Sequence, residues 1–294
     1  MSFLIAPAPH EQATPPASSE PRPRTRGLGP RALGHVILAL TAFACIFPIY
    51  WLYATSFRPG AHALDPTPLP WPFGLDNYET VFTQLPLWSM LGNTFLMALL
   101  VGVTQLCIAL LASYGFAMWS FPGKNVLFLL FVGSWLIPFQ VTMIPNYLLI
   151  ADLGLLGNIF GVVLPNMCSA FGVMLMRQHM QAFPRELIDA ARLDGRNSWS
   201  TLWTVVVPNL RPAMAALGIM LFIEAWNNYL WPALIMQKQS GVLLQIGIRS
   251  FMGGEGDNWG AIMAASGIAC LPIFVIYLFL SRYIQDAFVR SGLR

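Results

Sequence analysis

The sequence predicts an all-α, polytopic membrane protein with six transmembrane helices and a short cytoplasmic helix between the fourth and the fifth. Three observations carry this. Of the 294 residues, 56% are hydrophobic and 10% charged, against about 25% charged in a soluble domain; mean hydropathy is +0.60. The apolar residues gather in runs of the length a helix needs to cross the hydrocarbon core, about 20 residues. The basic residues are shared unevenly among the segments between those runs.

The elements follow in order. Residues 1–31 are rich in Pro, Ala, Ser and Arg. Such a segment cannot bury enough apolar surface to offset its ordering entropy, so it reads as a disordered cytoplasmic tail. Its polar part is too long for a signal peptide, and the next run is long enough to span; cleavage after Ala44 is the competing reading. The first span covers 32–58, where Tyr50, Trp51 and Tyr53 suit an interfacial aromatic belt. An external segment, 59–87, carries Pro59, Pro66, Pro68, Pro70 and Pro72, with a short surface helix expected over 75–82.

Residues 88–283 form the core. Its second span is 88–118, followed by a tight turn at Phe121, Pro122, Gly123 and Lys124. The third, 126–150, is broken by Pro138 and Pro145. Proline frees backbone carbonyls, which a membrane tolerates where neighbours or a wet cavity satisfy them. The fourth span, 159–176, is shorter. A cytoplasmic loop over 177–208 precedes the fifth span, 210–236, and the sixth, 259–283, which ends in a cytoplasmic tail at 284–294.

Charge tests this topology. Inside segments hold Arg22, Arg24, Arg26, Arg31, Lys124, Arg177, Arg185, Arg192, Arg196, Arg211, Arg282, Arg290 and Arg294; outside segments hold Arg58, Lys238 and Arg249. Thirteen against three, together the sixteen basic residues, is the bias expected when both termini are cytoplasmic.

The loop from Pro184 to Pro208 concentrates charge: Arg185, Glu186, Asp189, Arg192, Asp194 and Arg196. It reads as helix, stop, helix. Pro184 suits a first helical position, and Glu186 and Asp189 suit the positive end of the helix dipole. Gly195 is a stop, because glycine takes the left-handed conformation without penalty. Asn197 or Ser198 caps a second helix, which Pro208 interrupts. Two adjacent alanines within a charged rim suit docking; a solvated surface helix is the plainer alternative.

The residues themselves resemble the cytoplasmic EAA loop of membrane subunits in binding-protein-dependent ABC importers. Asp189, Ala190 and Ala191 stand for Glu-Ala-Ala; Arg192, Leu193 and Asp194 intervene before Gly195, and Val207-Pro208 closes the pattern. Asp189 keeps the usual charge with a shorter reach. With Glu186 and Leu187 the run is similar to the carbohydrate branch, of maltose and glycerol-phosphate permease type. Further likenesses are Asn77-Tyr78, the turn at Phe121–Lys124, Ile137 to Val141 with Ile144-Pro145, Trp226 to Pro232, and Asp257 to Gly260. The last residues, 289–294, depart from the branch's usual ending.

The resemblance implies a non-enzymatic transport subunit without cofactor, working with a second homologous permease subunit, a cytoplasmic ATPase dimer and an extracytoplasmic solute-binding protein. It places the chain in a bacterial cytoplasmic membrane. It implies that Glu186, Leu187, Asp189, Ala190, Ala191, Arg192, Asp194 and Gly195 couple to the ATPase. Within that set, Glu186, Asp189 and Arg192 form the polar rim, Ala190 and Ala191 the buried face, and Gly195 the turn.

Motif chemistry agrees. No G-x-x-x-x-G-K-[ST] loop is present, since Asn125 follows Gly123-Lys124. Cys45, Cys107, Cys168 and Cys270 stand far apart and form no metal motif. A net charge of +3 without a basic stripe does not suggest nucleic acid. One carboxylate, Glu224, falls inside a span, where ionisable groups are functional candidates by default. Trp226, Asn227, Asn228 and Trp231 follow it. Amides, carboxylate and ring faces suit a sugar, and packing across a subunit interface explains them equally. Gln140 beside Pro138 is a weaker pathway candidate. The lack of an intramembrane Arg or Lys favours a neutral solute. The rival classes are a gradient-driven carrier using Glu224, which needs no ATPase, and a membrane scaffold, which needs no solute.

Overall fold

The computed structural model describes residues 28–236, 242–253 and 258–291. Most of the expected N-terminal tail, together with Lys238, Asp257 and Arg294, lies outside the described residues. Two units are distinguished, 1–48 and 49–294. In the first, the described residues form the start of helix α1 (Leu28–Ser56), which contains Pro48. Leu33, Leu38, Leu40 and Phe43 are all exposed there, the pattern of a helix bathed in apolar surroundings rather than water.

The second unit holds the end of α1 and twelve further helices: α2 (Asp76–Gln84), α3 (Leu87–Met118), α4 (Lys124–Ser134), α5 (Phe139–Asp152), α6 (Ile159–Val163), α7 (Ala170–Gln181), α8 (Arg185–Leu193), α9 (Ser198–Thr201), α10 (Val207–Asn227), α11 (Leu230–Ile235), α12 (Leu244–Arg249) and α13 (Trp259–Ser291). Among the described residues there is no strand. Four helical runs are long and apolar enough to cross a membrane: 32–56, 87–118, 198–227 and 259–279. Two bent pairs bring the number to six: α4 with α5, at 91°, and α6 plus its 3-10 extension with α7, at 48°.

The first bend has a sequence cause. Pro138 sits at the N-cap of α5 with ψ 135°, and a proline pushes the residue before it out of the helical region. Pro145, the other expected breaker, stays inside α5. In the second bend the Ser169 hydroxyl accepts from the Gly172 amide at 3.1 Å, restarting the helix as α7.

The core is built on α3, which packs along both α10 and α7, while α10 also packs along α13. Gly102 of α3 faces the Phe222 backbone of α10, where an added Cβ would rest in ordinary contact at 3.5 Å. One apolar cluster gathers the first half of α3 with the end of α10, α11, α12 and α13. The other gathers the second half of α3 with α7, α8 and the start of α10.

Two expectations are corrected. The helix over 75–82 is not merely a surface element: Glu79 and Phe82 face outward, but its other side is built into the fold. Its Asn77 and Val81 are buried, and Asn77 donates to the carbonyls of Ser56, at 2.9 Å, and Arg58. Pro208 does not interrupt the second helix of the cytoplasmic loop. Helix runs unbroken from 198 to 227, because a π turn at Leu202–Val206 comes just before the proline. That wider winding re-pairs the backbone where Pro208 offers no donor.

Candidate functional site: a docking helix and a polar cleft

Helix α8 is held firmly and left open on one side. Ile188 and Ala191 are each 4% exposed, and Ile188 packs into the cluster containing Tyr114, Leu202 and Val206. The C-terminal turn closes as a Schellman motif. Arg196 N–H donates to the Ala191 carbonyl at 3.0 Å and Gly195 N–H to Arg192 at 2.9 Å, with Gly195 at φ 78°. These satisfy carbonyls that a helix end would otherwise leave unpaired.

The opposite side carries Glu186, Leu187, Asp189, Ala190, Arg192 and Asp194, all exposed, as is Gly195. Arg192 and Asp189 pair at 3.3 Å, both more than half exposed, so the pair adds little stability. The two alanines expected to share a buried face are divided: Ala191 is buried against its own chain and Ala190 is exposed. Leu193 is 90% exposed and was not singled out as a site residue. Its signal was its place between two charges on an otherwise polar end. Leu187, Ala190 and Leu193 recur every three residues, giving an uncovered apolar strip.

The second site lies at the far end of α10. Glu224 and Asn228 line a cleft with Gln105 of α3 and Asn166 of the 3-10 turn after α6, over a floor of Met97, Val101 and Val162. The cleft measures about 30 Å³, room for about one water. Gln105 Nε2 donates to the Asn166 carbonyl at 2.7 Å, one of the carbonyls at the bend in the fourth span. Asn166 Nδ2 in turn donates to Val162 at 2.8 Å. Gln105 and Asn166 were missed in the sequence because each is a lone amide in an apolar run.

The other expected pathway residues are placed elsewhere. Trp226 is 1% exposed and Trp231 is fully buried. Trp226 stacks on Phe222, with centroids 5.8 Å apart, and Trp231 meets Phe139 edge-on at 5.7 Å. Their ring faces are therefore spent on packing and not offered to the cleft. Asn227 is exposed and donates to the Ile223 carbonyl at 2.9 Å. Gln140, on α5, is exposed and is not part of the cleft lining. Among the described residues, no group of three His, Cys, Asp or Glu could hold a metal ion.

Comparison with known proteins locates this architecture. Residues 105–290 match the family described as binding-protein-dependent transport system inner membrane component. The arabinooligosaccharides transport system permease protein AraQ of Halalkalibacterium halodurans is 30% identical over 265 residues, 87% of this chain and 94% of AraQ. The sn-glycerol-3-phosphate transport system permease protein UgpE of Yersinia pestis is 31% identical over 272 residues, 87% and 95% of the two chains. The lactose transport system permease protein LacG of Rhizobium radiobacter is 28% identical over 265 residues, 89% and 96%. A solved chain from a bacterial ABC transporter involved in the import of the acidic polysaccharide alginate superposes with a TM-score of 0.74 at 24% identity, covering 86% of this chain and 95% of that one; it shares the fold. With nearly two-thirds of its residues matched to the family and this arrangement of helices, the chain belongs to the inner membrane components of binding-protein-dependent transport systems.

Proposed function

We propose that this chain is one of two membrane subunits of an importer that brings a neutral carbohydrate into the cytoplasm, fed by an extracytoplasmic binding protein and driven by a separate ATPase dimer. The observation that carries the reading is the open strip of α8: Leu187, Ala190 and Leu193 are exposed on a helix whose other side is locked into its own chain. A helix so held presents a rigid surface, and an ATPase cleft is the partner that would cover it. The charge bias supports a cytoplasmic position for α8 and both termini.

Docking alone moves nothing; the docked helix must differ in contacts between two states. Ile188 of α8 packs with Leu202 and Val206, which begin the unbroken helix over 198–227. That helix is about 45 Å long, and Glu224 stands near its other end. A rigid-body shift of α8 on ATP binding would therefore swing one wall of the cleft.

The named substrates of AraQ and LacG are saccharides, which supports a carbohydrate here. Gln105, Asn166 and Asn228 offer both donors and acceptors to hydroxyls, and the Glu224 carboxylate accepts from them. A negative charge at this point disfavours anionic solutes. At about 30 Å³ the cleft is one wall of a site, since small-molecule sites run to about 300 Å³ or more; the second permease subunit would supply the rest.

The test is purification of the transporter from membranes of its host with Ala190→Glu and Leu193→Glu variants. Both side chains are exposed, so the subunit should fold and insert normally. The ATPase should co-purify with the wild type and be lost, with ATP-driven uptake, in the variants. Retention of the ATPase in both variants would overturn the docking assignment.

A further inference from the structure

The loop that leaves α1 does not run out into water. Arg58, two residues past the helix, is fully buried and meets carbonyls rather than a carboxylate. Its guanidinium donates to the Asp65 carbonyl at 2.8 Å, to Thr67, and to Leu69 at 3.4 Å. It also lies over the Trp51 ring, 5.0 Å from the centroid. The Tyr50 hydroxyl donates to the Pro68 carbonyl. Trp51 and Tyr50 precede the last helical residue, Ser56, by five and six positions, which is about 8–9 Å back along the axis. Residues 65–69 therefore fold back beside the last two turns of α1.

This arrangement pairs the carbonyls of Asp65, Thr67, Pro68 and Leu69 and leaves large apolar side chains turned out. Leu64 is 69% exposed, Leu69 68%, Trp71 78% and Phe73 59%. No ionisable residue occurs from Pro66 to Leu75. The nearest charges are set at the margins, where His62 and Asp65 pair at 2.8 Å and Asp76 opens α2. Water offers this patch nothing. The level it occupies is that of Tyr50 and Trp51, the aromatic end of a membrane-spanning helix, where the bilayer passes from headgroups to acyl chains and where tryptophan is enriched.

We propose that residues 64–73 are an interfacial anchor, embedded in the leaflet at which α1 ends. Leu64 and Leu69 sit among the upper acyl carbons, and Trp71 sits at the headgroup level. Buried apolar area drives the insertion, and Arg58 spares it the cost of taking the Asp65, Thr67 and Leu69 carbonyls out of water unpaired. The occupant of the patch is lipid, and a docking binding protein must touch the subunit elsewhere. The assignment is independent of which solute is carried.

The experiment uses the assembled transporter in phosphatidylethanolamine/phosphatidylglycerol nanodiscs. Cys45, Cys107, Cys168 and Cys270 are replaced by alanine, and a nitroxide is attached in turn to Leu69→Cys, Trp71→Cys and a control, Glu79→Cys at an exposed position on α2. Retained ATPase and uptake confirm assembly for each. Collision with oxygen, which partitions into lipid, is compared with collision with a water-soluble nickel chelate. The expected result is an oxygen-to-nickel ratio at positions 69 and 71 several-fold above that at 79, unchanged when binding protein is added. Ratios equal to that at 79 mean the loop faces water and overturn the proposal. Protection from both reagents, whether intrinsic or brought on by the binding protein, means a protein covers the patch and overturns it equally.

Discussion

The sequence signatures at the two ends of the helical run 198–227 behave in opposite ways. Before one end, the charged run from Arg185 to Gly195 forms α8 and its closing turn and presents most of its distinctive residues to the outside. At the other, the run from Glu224 to Pro232 buries its most conspicuous members, Trp226 and Trp231, and leaves Glu224 and Asn228 to meet amides from α3 and the fourth span. A signature that works on a surface can be read as a local string. One that works in a cleft is divided between packing and lining, and the string does not say which residue does which.

That contrast can be broken by measurement, and the largest effect should come from Trp226→Ala. If the indole packs, its removal forfeits dispersion contacts and leaves a cavity, costing about 3 kcal/mol; thermal melting in detergent should show a clear loss. An unchanged melt with impaired uptake would return Trp226 to the solute path. Next is Gln105→Ala, which strips the Asn166 carbonyl of its donor. Interhelical hydrogen bonds in membranes are worth about 1 kcal/mol, so a smaller melting shift is expected, with weakened uptake. Glu224→Gln should leave the melt where it is, because the group is exposed on the subunit, yet admit anionic solutes to competition against the native one. No change in competition would detach Glu224 from selectivity. Smallest of all is Arg192→Ala. Its exposed pair with Asp189 is worth about 0.5 kcal/mol or less, so a large melting shift there would show that α8 depends on its rim for folding.

Much of the scaffold was legible in advance. The stop at Gly195, the break at Pro138 and the aromatic end of α1 all follow from residues within a few positions of the feature they create. The readings that changed are those where a distant partner decides. Asn77 looks like a surface residue until it reaches the carbonyls of Ser56 and Arg58, 21 and 19 positions away. Pro208 looks like a breaker until the π turn at Leu202–Val206 absorbs it. The Pro-rich external segment shows no partner in the sequence, and Arg58 gives it one by drawing its carbonyls back toward Trp51.

Composition, run length and charge bias determined by themselves that this chain is a multi-pass helical membrane protein, and the loop from Pro184 to Pro208 carried its family likeness. These depend on solvent preference and on bonds between near neighbours, which any chain of this sequence meets in any fold. Only the tertiary structure decided that α8 divides Ala190 from Ala191, that the tryptophans pack, and that Gln105 pairs with Asn166, 61 positions away. In an apolar medium a lone amide takes its role from whatever polar group the helices bring to it, and an indole from the rings it meets; both choices are made by packing.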